Sequence, residues 1–547
     1  MNAGKWRTAR RGGRVSDGWR ANSAFVITLL VCAGLFANTA FAQVTSERLL
    51  NASKEPQNWL MYSGDYAGRR FSGLNQIGIG NAGFLTPKWA YQTMAGGKFE
   101  TTPLVVDGIL YGTGPENRVF ALDAKSGRPI WQYQKALPPD IRPCCGRVNR
   151  GLAILDDKVF MGTLDSHVVA LDTKTGNVVW DVTSADYTKG YSFTLAPLVI
   201  KNLVLVGVSG GEYGIRGFID AYDAATGERR WRFYTIPGKG EPGNETWEGE
   251  SWKIGGSPAW ITGTYDAPTN TTFWTTGNPS PSNRGIGRAG DNLYADSLVA
   301  LDPDTGKLKW YFQFTQHDEH DYDATQVPVM IDGGEKHLIA QANRNGFFYV
   351  LDRTTGKLVS ATQYAKVTWS NSKDAIGRPV GSKEGEPSLE GNPVCPGAAG
   401  ATNWMSPTYD PQTKLFYVTA REQCDIFATA PQPFEAGHAY YGSAYFPNDG
   451  AEPFWGALRA LDPATGKLVW EWKHTSPTWS GVLSTAGGVV FTGDAEGNFI
   501  ALDAKSGKPL WHFECGASIY SSPMTYAVDG KQYVVVAAGS TLFAFGL

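Results

Sequence analysis

One short pattern returns along this chain and limits what it can fold into: apolar-Ala-Leu-Asp-x-x-Thr/Ser-Gly-x-x-x-Trp. It reads ALDAKSGRPIW at 121–131, ALDTKTGNVVW at 170–180 and AYDAATGERRW at 221–231. It recurs as ALDPDTGKLKW at 300–310, ALDPATGKLVW at 460–470 and ALDAKSGKPLW at 501–511. A seventh copy, VLDRTTGKLVS at 350–360, ends on Ser360 instead of Trp. Each copy predicts a hairpin: Asp accepts the turn amides, Gly takes the left-handed position, and the Trp of the return strand packs between neighbouring sheets. A lone hairpin buries too little surface to be stable, so repeated hairpins must stack.

The motif aspartates are Asp123, Asp172, Asp223, Asp302, Asp352, Asp462 and Asp503, mostly 41 to 51 residues apart, the size of a four-stranded blade. Two wider gaps, of 79 and 110 residues, place insertions near 232–295 and 365–455. The second gap also leaves room for a blade without the motif, its hairpin at 409–418. The expectation is an all-β, eight-bladed β-propeller with tryptophan-docking motifs, one domain over 43–547. Strands at 533–538 and 541–545 close the ring against strands near 59–62, which removes exposed sheet edges.

Composition agrees: 65 Gly suit tight turns, and 13% aromatic residues suit pleated surfaces. A net charge of −3 gives no basic field for nucleic acid or an anionic membrane. The first 42 residues read as an export signal. Arg7, Arg10, Arg11, Arg14 and Arg20 precede a short apolar run at 24–37, and Ala40-Phe41-Ala42 gives a small-x-small cleavage pattern. Cleavage after Ala42 would deliver the chain to the periplasm with no membrane span. A retained anchor is the other reading; Val31 before Cys32 disfavours a lipoprotein. Cys144, Cys145, Cys395, Cys424 and Cys515 remain, an odd number that leaves a free thiol, assigned to Cys515. No C-x-x-C-H haem attachment motif occurs.

Some motifs carry more than architecture. Adjacent cysteines, Cys144-Cys145, are rare as structure alone. HDEHDYDATQ at 317–326 is an acidic run that composition alone makes a solvated loop. In an extended segment, however, Asp321 and Asp323 point the same way and can share one ion. Together with the docking repeat these motifs resemble the pyrroloquinoline quinone (PQQ) alcohol dehydrogenases, the quinoprotein methanol/ethanol dehydrogenase family, over essentially the whole exported chain.

The resemblance implies PQQ stacked between a Cys144–Cys145 disulfide ring and Trp260. It implies cofactor contacts from Glu100, Arg150, Thr194, Ser209, Gly210 and Gly211, where small residues admit the cofactor. It implies further contacts from Arg344, Asn403, Trp404 and Trp479. Pro258 departs from the pattern, standing where methanol-oxidising members often carry a cofactor-bonding threonine. The implied metal ligands are Glu212, Asn278, Asp321 and Asp323. Asp321 is also the general base, and Asp323 matches the extra carboxylate of the lanthanide-type branch. The ion is therefore one lanthanide(III) or Ca²⁺, with the hard anionic donor set favouring the former. Cys395–Cys424 matches a family disulfide, and His317, Asp318, Glu319 and His320 read as surface or supporting residues.

The implied reaction is metal-assisted hydride transfer from an alcohol to PQQ, with electrons passed to a separate periplasmic cytochrome c. A PQQ-dependent sugar or polyol dehydrogenase and a non-catalytic propeller scaffold are the alternatives. A homodimer stays open. The segment 423–453, with Phe434, Tyr440, Tyr441 and Phe446, reads as an apolar lid over the alcohol.

Overall fold

A hairpin forms at every copy of the motif. Arg118–Asp123 pairs antiparallel with Pro129–Gln134, His167–Asp172 with Val178–Thr183, and Phe218–Asp223 with Arg229–Tyr234. The copies at Asp302, Asp352, Asp462 and Asp503 do the same. At the second copy, Asp172 Oδ1 accepts from the Lys174 and Thr175 amides (3.1 and 2.8 Å) and from the Thr175 hydroxyl (2.8 Å). The computed structural model describes residues 43–547 apart from 284, 334, 335, 449, 451 and 452. The export-signal reading of 1–42 lies outside the described residues. No helix among them is long and apolar enough to cross a membrane.

Two preceding strands complete each sheet, as Leu104–Val106 and Ile109–Gly114 do for the first copy. Eight sheets of four or five strands can be traced among the described residues, and seven contain a motif hairpin. The eighth corrects the sequence expectation. Met524–Val528, Lys531–Ala538 and Thr541–Gly546 are joined by Thr86–Gln92, not by residues 59–62. Trp59 makes only an isolated bridge to Val105. The hairpin at 409–418 also moves. Thr408–Asp410 and Leu415–Glu422 share a sheet with Trp455–Leu461 and Leu468–His474, the copy at Asp462. That sheet is interrupted between its second and third strands, so among the described residues the long gap holds an insertion and no further four-stranded sheet. The insertion supplies a small sheet of Asn392–Val394, Asp425–Thr429 and Ser443–Pro447.

Neighbouring sheets meet through a repeated contact. The indole N–H of Trp131 donates to Thr173 O (2.8 Å), that of Trp180 to Ala224 O (3.1 Å) and that of Trp231 to Pro303 O (2.9 Å). Trp470, Trp511 and Trp89 make the same bond to Ala504, Leu85 and Ala124. Six of the seven motif glycines, all but Gly466, lie under an indole ring. A Cβ on Gly176 would stand 2.5 Å from Trp131, one on Gly227 2.9 Å from Trp180, and one on Gly306 2.6 Å from Trp231. Glycine is needed twice over, for its positive φ and for this approach. Where Ser360 replaces the tryptophan, Thr362 fills the place against Gly466.

The two requirements can be separated. Gly176 (φ +72°) lies under Trp131, whereas Gly240 (φ +86°) has nothing within 4 Å of an added Cβ. Gly240→Ala should destabilise by about 1 kcal/mol, the conformational part alone. Gly176→Ala should lose about 2–4 kcal/mol, because the indole must also move. Denaturant midpoints compare the two, and equal losses would remove the indole contact as a determinant.

Candidate functional site

The strands of each sheet alternate in direction. The start of the first strand and the end of the second therefore share one end of the sheet, and the Asp–Gly turn lies at the other. The expected site residues occupy that first end. Glu100 stands four residues before Leu104–Val106, Arg150 three before Ala153–Leu155, and Thr194 four before Leu198–Ile200. Trp260 precedes Thr264–Asp266 by four, Asp323 precedes Val329–Gly333 by six, and Trp404 and Trp479 precede Thr408–Asp410 and Leu483–Thr485 by four. Ser209 to Glu212 follow Leu203–Gly207, Asn278 follows Thr271–Thr275 and Arg344 follows Lys336–Ala342.

These segments line one cavity of about 350 Å³. Every residue expected to touch the cofactor borders it except Gly211, and every expected metal ligand except Asn278. Asn278 is fully buried. The glycines serve the backbone as well as the cavity. A Cβ on Gly210 would collide with Gly190 O, and one on Gly211 would stand 2.8 Å from the Pro258 ring and 3.0 Å from Asn278 Oδ1. Cys144 and Cys145 are bonded to each other, as are Cys395 and Cys424, and Cys515 is free.

Arg150 organises one wall. It pairs with Glu100 at 2.7 Å, donates to Thr194 Oγ1 at 2.9 Å, and lies 4.9 Å from the Trp260 ring and 5.4 Å from the Trp404 ring. Thr194 in turn bonds Ser209 (2.8 Å). Burial pushes the Glu100 carboxyl up, against the pull of Arg150. Trp404 and Trp479 stack at 4.5 Å, and the Arg421 guanidinium covers Trp479 at 3.8 Å. Burial, then the nearby Arg344, pulls Arg421 down to about 9.

The opposite electrostatic character gathers at Asp321. Arg344 donates to Asp321 Oδ2 (3.0 Å) and to Asp323 Oδ2 (2.6 Å). Asp323 Oδ1 accepts from the Asn278 amide at 2.9 Å. Among the described residues, Asp321 Oδ1 and Asn278 Oδ1 are buried without a hydrogen-bond partner. Burial holds the Asp321 carboxyl far above the usual range, and the charges of Asp323, Glu212 and Asp318 add to it, with only Arg344 opposing. Burial and the charge of Asp323 push Glu212 up to about 7. Crowded carboxylates with orphaned amide and carboxylate oxygens form a hard donor set suited to an oxygen-liking cation.

The acidic run is not a solvated loop, and Asp318 explains why. It is 1% exposed, and its two oxygens accept the His320 and Tyr322 amides at 2.9 and 2.7 Å. Tyr322 anchors the other face by donating to Pro396 O at 2.5 Å, and the His320 ring stacks on it at 4.9 Å. This brace holds Asp321 at φ +63°, a left-handed conformation unusual for a side-chain-bearing residue.

Sequence reasoning missed Lys98, Gln423 and Asp425, which also border the cavity, and Tyr520. Tyr520 O accepts from the Trp404 indole at 3.4 Å. It stands four residues before Met524–Val528, the same offset as the other site residues, and that spacing could have found it. From the expected lid, Tyr445 reaches the cavity. The Tyr440 amide donates to Glu212 O (2.6 Å), and the Asn283 amide to Tyr441 O (3.1 Å).

Known proteins resemble this chain over most of its length. Residues 59–376 match the PQQ family model described as glucose/ethanol/alcohol dehydrogenase, beta-propeller domain, and 456–546 match the model of outer membrane protein assembly factor BamB. The quinoprotein alcohol dehydrogenase PedH of Pseudomonas putida is 40% identical, over 94% of this chain and 91% of its own. The lanthanide-dependent methanol dehydrogenase of Methylacidiphilum fumariolicum is 38% identical, over 94% and 89%. A solved europium-containing methanol dehydrogenase superposes with a TM-score of 0.88 at 34% identity, over 92% of this chain and all of that one. The chain belongs to the PQQ-dependent alcohol dehydrogenase family.

Proposed function

We propose that the chain is an exported, periplasmic enzyme that oxidises alcohols to aldehydes or ketones, with PQQ and one lanthanide(III) or Ca²⁺ ion in the cavity. The observation that carries the reading is the pair of orphaned oxygens, Asp321 Oδ1 and Asn278 Oδ1, beside the carboxylates of Asp323 and Glu212. Buried polar atoms are nearly always satisfied, and a cation held by these four side chains satisfies both. The relatives named for methanol and for other alcohols support alcohol as the substrate class. The eight sheets stand as the blades of one ring over 43–547, joined by the indole–turn contacts, with the cavity where their first strands begin.

When bound, PQQ supplies the hydride acceptor and the ion a Lewis acid. The chain's residues do the rest. Asp321 takes the alcohol's hydroxyl proton as general base, and Asp318 holds the loop that presents it. Arg344 fixes the spacing of Asp321 and Asp323 and directs donors at developing negative charge. Trp260 and the Cys144–Cys145 ring would hold PQQ, and Arg150 would pair with one of its carboxylates. Asp323 adds the charge that favours a trivalent ion. Electrons leave to a separate periplasmic cytochrome c, since the chain contains no C-x-x-C-H. The lid segment sets which alcohol enters.

Purified protein loaded with PQQ and either Ca²⁺ or La³⁺, and assayed by dye reduction with a panel of alcohols, tests the reading. Turnover with neither ion overturns it, and turnover with Ca²⁺ alone removes the lanthanide part. Asp321→Asn should lower turnover by about 10²–10⁴-fold while ion binding persists. Asp323→Ala should abolish the gain from La³⁺ and largely spare turnover with Ca²⁺.

The pH dependence of the ion-free protein has a definite sign. Glu212 rises from an ordinary 4.5 to about 7 on folding. The folded state therefore binds the extra proton, and this contribution to stability is lost as pH rises from 4.5 through 7. The melting temperature of ion-free protein should fall across that window, Glu212→Gln should flatten the fall, and a bound cation should reverse it. A flat wild-type profile would show that the Glu212 carboxyl is not held up by its surroundings.

A further inference from the structure

Behind the metal ligands lies a carboxylate that the chemistry above leaves unused. Asp296 precedes the strand Ser297–Leu301. Its amide donates to Gly277 O at 3.0 Å, directly beside Asn278, and its carbonyl accepts from the Phe314 amide at 2.8 Å. The residue is 0% exposed, and neither carboxylate oxygen has a hydrogen-bond partner among the described residues. The charged groups that face it are Asp318, Asp323, Asp321 and Arg288. Arg288 directs its donors elsewhere, to Pro281 O, Asn292 Oδ1 and Asp318 O. Arg344 is committed to Asp321 and Asp323.

A fully buried carboxylate without a donor is costly to hold as an anion, and burial, with the like charges of Asp318, Asp323 and Asp321 adding to it, pushes the Asp296 carboxyl well above its ordinary range in the ion-free protein. A neutral residue of the same size would fill the space at lower cost. A cation held by Glu212, Asn278, Asp321 and Asp323 would favour the anion again, and Asp296 is tied by its amide to Gly277, next to Asn278. We propose that Asp296 is a positioning residue for the ion: from behind Gly277 and Asn278 it adds negative potential at the ion without touching it, and thereby shifts the site's preference from divalent to trivalent cations. The inference rests on reading those four side chains as the ion site. Its physics is Coulombic. Attraction to a fixed charge grows with the charge of the ion, so removing Asp296 weakens a trivalent ion more than a divalent one.

The test is ion binding to PQQ-free protein, with La³⁺ and Ca²⁺ followed calorimetrically and Tb³⁺ by its sensitised luminescence. Asp296→Asn should lower the ratio of La³⁺ to Ca²⁺ affinity by about tenfold. The ion-free variant should melt at the same temperature as wild type or higher, because asparagine keeps the size of the side chain and leaves no acid to bury. Equal losses for both ions, or a less stable ion-free variant, would mean a packing role and overturn the proposal. An unchanged ratio would mean that Asp296 carries no charge in the bound state, and overturns it as well. Asp296→Ser, smaller and also neutral, gives the same readout if the asparagine disturbs packing. A wild-type protein that binds neither ion would overturn the ion-site reading itself, and this is seen before any variant is made.

Discussion

An indole lying on a glycine is the contact on which the rest of this molecule depends. At Trp131–Gly176, Trp180–Gly227 and Trp231–Gly306 the ring occupies the space where any side chain would begin, and its N–H closes onto the adjoining turn. The contact fixes both the separation and the orientation of neighbouring sheets. Since it sits at the turn between third and fourth strands, it leaves the opposite end of each sheet free. There the chain presents single residues just before the first strand, and these converge on one cavity. Rigid packing at one end makes precise placement at the other possible, which loops without such support do not achieve.

The site itself is in electrostatic tension. Glu212, Asp321 and Asp323 are drawn together with one guanidinium, that of Arg344, paired directly with two of them. Stability alone would disfavour this arrangement: burial raises all three carboxyls, and neighbouring carboxylates add to it at Glu212 and Asp321. The surroundings over-determine it instead. Asp318 ties down the loop at two amides, Tyr322 pins it to Pro396, and the Asn278 amide holds Asp323. Such strain persists where the reward comes from binding, in the proposed function a cation that would turn repulsion into ligation.

The architecture was legible because its determinant is local. Seven copies of Asp-x-x-Thr/Ser-Gly state the turn, its φ and its docking partner within a dozen residues. What the repeat could not state was the closing sheet, which has no motif and borrows Thr86–Gln92 from far along the chain. The interruption of the Asp462 sheet was hidden for a similar reason: Leu415–Glu422 and Trp455–Leu461 pair across an insertion that looks like spare length. In the site, residues of distinctive type such as Cys144-Cys145 and Asp321/Asp323 announced themselves through resemblance. Asp318 and Asp296 did not, because their importance comes from burial, and an aspartate in an acidic run or before a strand reads as exposed. Tyr520 was legible in principle from its offset to the next strand, had the boundary of Met524–Val528 been known.

The lid adds one coupling that follows from backbone alone. Tyr440 donates its amide to the carbonyl of Glu212, and Tyr441 accepts from Asn283, five residues beyond Asn278. Phe434 packs where a side chain on Gly214 would stand, two residues after Glu212. The segment that would select the alcohol is thus hydrogen-bonded to the segments that carry two proposed metal ligands. A lid substitution that shifts Tyr440 must either break that bond or move Glu212 with it. In the proposed function, substrate range and ion affinity are therefore not independent. The disulfide Cys395–Cys424 ties down the other root of the lid, beside Gln423 and Asp425 on the cavity wall. That root is held by the disulfide and the middle of the segment by Tyr440 and Tyr441, while Tyr445 reaches the cavity itself, so a change along this stretch is felt at the carboxylates below.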